Sequence, residues 1–537
     1  MIQFPRHSLM LALPAAILLS ASYTTHAATL PSGLSEQDIS TTVEHARSAF
    51  DVPGIAVAVV QDGEVVFSRG YGRRAQDSAS APVDGRTLFA IGSNTKEFTT
   101  TALAQLVDQG KLGWNDRVIN HMPEFRVADP SITRDFRVSD LLTHHSGMGQ
   151  GAGDLMLFSH STFTRPEVLA GLPFMPFTAP FRSEYAYNNL LYVVAGALVE
   201  RITGQSWEDV VQKRLINAAD LPACQSTPPV KGQTNVATGE GESSVLPDKS
   251  ALRLPAVAPA GSIWCSADGM ARWVQTYLNG GRAPNGRQIF SQASRDVLWG
   301  PHGLLPLPDT ADATKTHFRA YGYGWFMEDF FGLKRVWHTG TIGGMVSYVT
   351  FLPERRSGIV ILTNHDDHAA TYAIATTLSS YVATGKSADW LTHFLNEKTA
   401  RQAANAKKAT ESGPGSPARP FITLSHDAQQ DYIGTYRDAW RGPITINRRG
   451  SELRMSFSHA DGLTGTLSAL PHDLFIVRWD NRGQDGEDDS YVQFERDVSG
   501  QVTGIKMQVI GSDFSFDAQD LNPKKVSSSG SERTKTP

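Results

Sequence analysis

Only two of the 537 residues are cysteine, Cys224 and Cys265, so no cysteine framework can hold this fold together. A single bridge between them fits an oxidising compartment, but pairing cannot be read from spacing and stays open here. Neither cysteine lies in a metal-ligand or nucleophile pattern. His-Glu-x-x-His and Gly-x-Ser-x-Gly are also missing, which sets aside the usual zinc peptidase and α/β-hydrolase arrangements. Charged residues are sparse at 19%, with a formal net charge of −5. A mildly acidic chain is not built to track phosphates, so no nucleic-acid partner is expected. Beyond the first residues, no apolar run reaches the roughly 18 to 20 residues that a membrane helix needs.

The N-terminus does carry a short apolar run. Arg6 precedes Leu9 to Leu19, and Thr25-His26-Ala27 follows with small residues at both cleavage-reading positions. The pattern predicts a secretory leader over residues 1–27 and a periplasmic or secreted mature chain with no membrane span. Losing Arg6 and no acidic residue makes that mature chain one charge more negative. Length and a 40% hydrophobic content predict a full core and more than one domain.

Glu36 to Phe50 reads as a helix, and Ile55 to Tyr71 as two strands around an Asp62-Gly63 turn. From Ser93, the apolar residues Phe98, Ala102, Leu103, Leu106 and Val107 recur at helical spacing until Gly110. Short helices and Gly/Pro/Ser-rich loops fill Leu112 to about Asn279. Strand signals return at Val336-Trp337-His338, Met345 to Leu352 and Ile359 to Thr363, followed by a helix from Ala369 to Tyr381. An early hairpin and late strands in one domain imply that distant segments share a sheet. The expected organisation is a large domain over 28–396, a linker over 397–424, a small β-barrel over 425–522 and a disordered tail over 523–537. The acidic stretch Asp485-Gly486-Glu487-Asp488-Asp489 lacks EF-hand spacing and reads as a solvated hairpin turn.

Three segments carry chemistry. Ser93-Asn94-Thr95-Lys96 places a hydroxyl and an amine three residues apart at a helix start, on one face. A buried lysine whose pKa falls toward neutrality can take the serine proton, and the helix start offers free N–H groups to an oxyanion. Alone the motif is weak, because a capping serine and a solvated lysine look the same. Tyr-x-Asn occurs twice. Tyr277-Leu278-Asn279 closes an amphipathic helix, where a core role accounts for it, whereas Tyr187-Asn188-Asn189 sits in a turn before the helical run Leu190 to Ile202. His145-Ser146-Gly147 reads as a helix stop, whereas His338-Thr339-Gly340 ends a strand and leads into Thr341-Ile342-Gly343-Gly344, where backbone can approach a ligand.

The order of Ser93-Asn94-Thr95-Lys96, Tyr187-Asn188-Asn189 and His338-Thr339-Gly340 resembles the three motifs of the serine β-lactamase and penicillin-binding superfamily, especially its class C branch. Phe89-Ala90-Ile91-Gly92, Leu141 to Gly147, Tyr321-Gly322-Tyr323-Gly324-Trp325 and Leu352-Pro353 extend the likeness over about residues 35 to 385. The C-terminal segment resembles, more weakly, the lipocalin-like module of some peptidases of this superfamily.

The resemblance implies an α/β/α sandwich with an antiparallel sheet beside an all-helical subdomain. It implies Ser93 as nucleophile, Lys96 and Tyr187 as proton carriers, and Asn189, His338, Thr339, Gly340 and Thr341 around the substrate. The Ser93 and Thr341 amides would form the oxyanion hole, with no metal or cofactor. Histidine replaces the lysine usual in the third motif, and Asn188 replaces a serine in the second. The first change removes a fixed charge for a substrate carboxylate and is similar to D-aminopeptidase and DD-peptidase sequences. The expected substrate is therefore a small peptide, including those with D-residues. Ester or β-lactam hydrolysis and a sensor acylated without turnover are the alternatives, and oligomeric state is not legible.

Overall fold

The computed structural model describes residues 29–77, 79–158, 160–241, 254–411, 421–460, 462–480, 489–510 and 517–526. The expected leader, most of the tail and the acidic stretch up to Asp488 lie outside these residues. Among the described residues, no helix is long and apolar enough to cross a membrane.

The chain enters through a helix, Glu36–Ala49, closed at its start by a capping box between Ser35 and Asp38. Strands β1 (Gly54–Gln61) and β2 (Glu64–Gly72) form the expected hairpin. A small sheet follows from β3 (Phe89–Ala90), β4 (Cys224–Gln225) and β5 (Trp264–Cys265). Cys224 and Cys265 are register partners on β4 and β5, and they form a disulfide.

The main sheet is completed by β6 (Gly303–Leu305), β7 (Arg319–Tyr321), β8 (Phe326–Phe330), β9 (Leu333–Ile342), β10 (Met345–Leu352) and β11 (Ser357–Thr363). Its order, β2-β1-β11-β10-β9-β8-β7-β6, is antiparallel throughout and pairs Ile55 with Thr363. The early hairpin thus joins the late strands in one sheet. Alternation along β1 explains why helices cover both faces. Ala56, Ala58 and Val60 pack in one core with Phe98, Met270 and Trp273. Ile55, Val57 and Val59 face the other way, onto Ile39, Val43, Ile374 and Leu378. The helix His368–Thr384 supplies the last two of these.

One sequence expectation needs correction. Residues 397–411, read from composition as linker, belong to a helix, Trp390–Glu411. Ala, Gln, Lys and Glu are strong helix formers, so the same polar, low-complexity composition that suggests a tether also propagates a helix begun at Trp390. Beyond it lies a closed barrel of eight antiparallel strands, from β12 (Gly434–Asp438) to β19 (Lys524–Lys525). Tyr436 and Arg437 pair with Lys525 and Lys524 to close it, so the first residues of the expected tail are a barrel strand. Tyr436, Ile444, Met455, Phe475, Val492, Phe494 and Ile505 point inward and are buried. The barrel rests on the larger domain, where Ser161 bridges Ala460, the Thr162 amide donates to the His459 carbonyl at 3.0 Å, and Phe163 stacks on His459.

The helix Thr95–Asp108 is buried along nearly its whole length. Phe98 stacks on Trp273 with ring centroids 4.3 Å apart, and beside them Glu97 is fully buried. Burial holds its carboxyl well above the ordinary range, against a smaller opposing effect from Trp273, so Glu97 folds as the neutral acid. The unfolded chain ionises at the ordinary value, so raising the pH above that value favours unfolding until the folded carboxyl itself titrates. Glu97→Gln should remove this dependence. Denaturation at about pH 5 and about pH 8 should show the variant gaining on the native chain by up to about 1.4 kcal/mol per pH unit. A constant difference would show that Glu97 ionises normally.

Candidate active site

Ser93 lies in a short 3-10 turn, Gly92–Asn94, that runs straight into the helix Thr95–Asp108. Its amide is among the first of that helical run, where no intrahelical carbonyl is available. The turn packs against β9 so closely that two glycines are required. Gly92 has φ +50, and a side chain there would meet the Thr341 amide nitrogen at 2.6 Å. A side chain on Gly340 would stand 1.9 Å from the Ile91 carbonyl oxygen and 2.6 Å from the Ser93 nitrogen. The amides of Ser93 and Thr341 are thereby brought together with no side chain between the two backbones.

Lys96 is completely buried. Its Nζ lies 2.9 Å from Ser93 Oγ, 2.8 Å from Asn189 Oδ1 and 3.2 Å from the Ala260 carbonyl oxygen. Burial lowers its pKa to about 7, with the Asp154 carboxylate pulling the other way. A neutral amine has two hydrogens and one lone pair. Asn189 and Ala260 accept the two hydrogens, which leaves the lone pair for the Ser93 hydroxyl.

Burial raises the Tyr187 phenol above its ordinary pKa and outweighs the opposing pull of nearby Ser93. Its ring lies 4.8 Å from Lys96 Nζ. With Lys96 close to neutral and the phenol shifted up, Tyr187 stands as a proton donor and relay rather than a standing phenolate. Asn189 sits at the N-terminus of the helix Leu190–Thr203, which places its amide between Lys96 and Asp154.

His338 is buried on β9. Its Nδ1 faces the Thr339 carbonyl at 2.5 Å, and its Nε2 lies 3.1 Å from the Tyr321 hydroxyl. A carbonyl only accepts, so Nδ1 carries the proton and Nε2 accepts from Tyr321. Burial first, then Lys96, push its pKa down to about 3, and the ring is neutral. Gly340 shares this face of the strand, whereas the Thr339 side chain lies on the opposite side, near Tyr372. The Thr341 hydroxyl likewise turns away, to His368 Nε2 at 2.7 Å. Of the four β9 residues expected around the substrate, His338 and Gly340 face Ser93 directly, while Thr339 and Thr341 have only backbone to offer.

Several neighbours escape a reading of the sequence. Asp154 receives the Asn189 amide at 3.3 Å. The His144 ring lies 4.2 Å from that of Tyr187 at a tilt, and its Nδ1 accepts from the Asn188 amide at 3.3 Å. With Tyr185, Tyr192 and Tyr321, it builds an aromatic wall. Burial and nearby Lys96 keep His144 well below the ordinary histidine range. Among the described residues, no group of three or more His, Cys, Asp or Glu could hold a metal ion.

The family described as Beta-lactamase matches residues 39–382, and a domain of unknown function, DUF3471, matches residues 418–525. The chain is 31% identical over 336 residues to "Penicillin-binding protein 4" of Amycolatopsis lactamdurans, covering 59% of this chain and 82% of that one. It is 27% identical over 406 residues to "Unguisins hydrolase ungD'" of Aspergillus campestris, covering 72% and 73%. The octameric penicillin-binding protein homologue from Pyrococcus abyssi superposes with a TM-score of 0.57 at 18% identity, over 92% of this chain and all of that one. SurE with D-Leu gives 0.50 at 18% identity, over 91% and 99%. These two structures show the shared fold.

Proposed function

This chain belongs to the beta-lactamase family, and from that footing we propose that it is an exported hydrolase of peptide amide bonds that works through an acyl-enzyme on Ser93. A serine hydrolase is what its family and relatives support in general. The observation that carries the specific reading is the three-way coordination of Lys96, whose Nζ reaches two carbonyl oxygens and Ser93 Oγ, so that its free-amine form can spend both hydrogens on the carbonyls and offer its lone pair to Ser93.

Lys96 takes the Ser93 proton as Oγ attacks the carbonyl, and the Ser93 and Thr341 amides receive the negative charge that develops on its oxygen. Tyr187 relays the proton to the leaving amine. Water then attacks the acyl group, giving its proton back through Tyr187 and Lys96 and restoring the serine.

Two features favour a peptide. β8 pairs with β9 only over Leu333–Trp337, so from His338 onward that edge has no strand partner among the described residues. An extended peptide can add there as a strand. The neutral His338 also sets no fixed charge opposite a substrate carboxylate, which suits the interior of a peptide or an amidated end. The Cys224–Cys265 disulfide and the leader pattern favour an oxidising, extracytoplasmic location.

His338→Lys should restore such a charge. The ratio of kcat/KM for a peptide acid over its C-terminal amide should rise about tenfold or more. An unchanged ratio would remove His338 from the substrate site.

A second reading, a sensor acylated without turnover, draws on the 31% identity to a protein named for penicillin binding. Adduct lifetime separates the two, because a hydrolase sheds its acyl group and a sensor keeps it. Turnover of short aryl esters without any peptide cleavage would instead make the protein an esterase.

A further inference from the structure

We propose that Asp154 is a positioning residue for acyl transfer, locking the side-chain amide of Asn189 with Oδ1 toward Lys96 and reaching the amine with its own negative charge. The proposal rests on the Ser93–Lys96 reading above.

Asp154 opens a short helical turn, Asp154–Leu157, and is only 4% exposed. A carboxylate accepts hydrogen bonds and cannot donate them. The Asn189 amide therefore has one orientation that satisfies both neighbours, with Nδ2 donating to Asp154 Oδ1 at 3.3 Å and Oδ1 accepting from Lys96 Nζ at 2.8 Å. Flipped, the amide would set oxygen against carboxylate and N–H against the amine, losing both bonds.

The segment bearing Asp154 is tied down at both ends. On one side the Gly151 amide donates to the Tyr187 carbonyl at 2.8 Å, and the Tyr187 amide donates to Gln150 Oε1 at 2.8 Å. On the other, residues 161–163 are clamped by the barrel through Ala460 and His459, with the Arg441 guanidinium 5.0 Å from the Phe163 ring.

Other groups surround Lys96. Tyr187 and Tyr192 present ring faces, His338 and His144 are neutral imidazoles, and Asn189 and Ala260 offer carbonyl oxygens. Among the described residues, Asp154 is the one carboxylate whose charge acts on Lys96, opposing burial, and it also opposes ionisation of Tyr187.

The test is the pH profile of Ser93 labelling by a fluorophosphonate in the full chain and in Asp154→Asn and Asp154→Ala. Removing the negative charge makes the ammonium form of Lys96 less favourable, so the acid limb should move to lower pH by about half a unit or more in both variants. The plateau should fall about tenfold further in Asp154→Ala than in Asp154→Asn, because asparagine still offers an acceptor to Asn189. If alanine at this position unfolds the chain, the asparagine variant decides alone. A folded Asp154→Asn protein with an unmoved limb would overturn the proposal while leaving the Ser93 mechanism standing. Failure of the native chain to label in a Ser93-dependent way would overturn both.

Discussion

Replacing Ser93 with alanine should cut hydrolysis on the order of 10⁴-fold or more while the protein keeps its fold. The change removes one oxygen at the start of a helix whose stability comes from elsewhere, including Phe98 against Trp273 and the close approach of Gly92 and Gly340 to their neighbours. Lys96 loses one of three partners and keeps Asn189 and Ala260. A melting temperature close to that of the native chain, together with lost turnover, would place the defect in chemistry. Residual turnover near the native level would mean that another nucleophile carries the reaction.

The second large effect concerns Lys96 and comes with a pH signature. Its pKa of about 7 reflects burial partly offset by Asp154, and only the free amine can accept the serine proton. Acylation should therefore rise with pH through about 7 and level off above it, since deprotonation supplies the base. Lys96→Arg keeps a cation of similar length that does not deprotonate in this range. The variant should lose about 10²- to 10⁴-fold, and the limb near pH 7 should vanish. Stopped-flow acylation by an activated ester across the pH range would show both. If the limb persists in Lys96→Arg, a different group supplies the base.

Much of this was legible in the sequence, for reasons that differ from element to element. Ser93 and Lys96 are three residues apart on a helix, so their meeting is local and follows from helical geometry. β1, β10 and β11 announce themselves as apolar runs bounded by turns. Other features depend on contacts between distant segments. Asp154 reaches Asn189 across 35 residues, and a single acid in a Gly-rich loop gives no local sign of it. The neutrality of His338 comes from burial and from Lys96, which is far away in the sequence. Thr339 belongs to a motif that reads as one unit, yet strand alternation turns its side chain to Tyr372. The helix through Glu411 was hidden because a polar, alanine-rich stretch suits both a tether and a helix.

The barrel also changes meaning once the contacts are seen. Its sequence reads as a detachable module, but Trp440 and Phe457 share a continuous apolar core with Phe163 and Met156 of the catalytic unit. That contact lies on the same stretch of chain as Asp154. Truncation at the barrel would therefore expose apolar surface next to the residues that align Asn189, which makes point substitution the cleaner probe of the site.

The most direct measurement is intact mass against time after mixing the native chain and Ser93→Ala with a fluorophosphonate and, separately, with a slowly hydrolysed activated peptide ester. An acyl-enzyme mechanism requires one adduct per native chain, mapped to Ser93 and absent from the variant, stable for the phosphonate and decaying for the ester. An adduct on the Ser93→Ala chain, or no adduct on the native one, would contradict it.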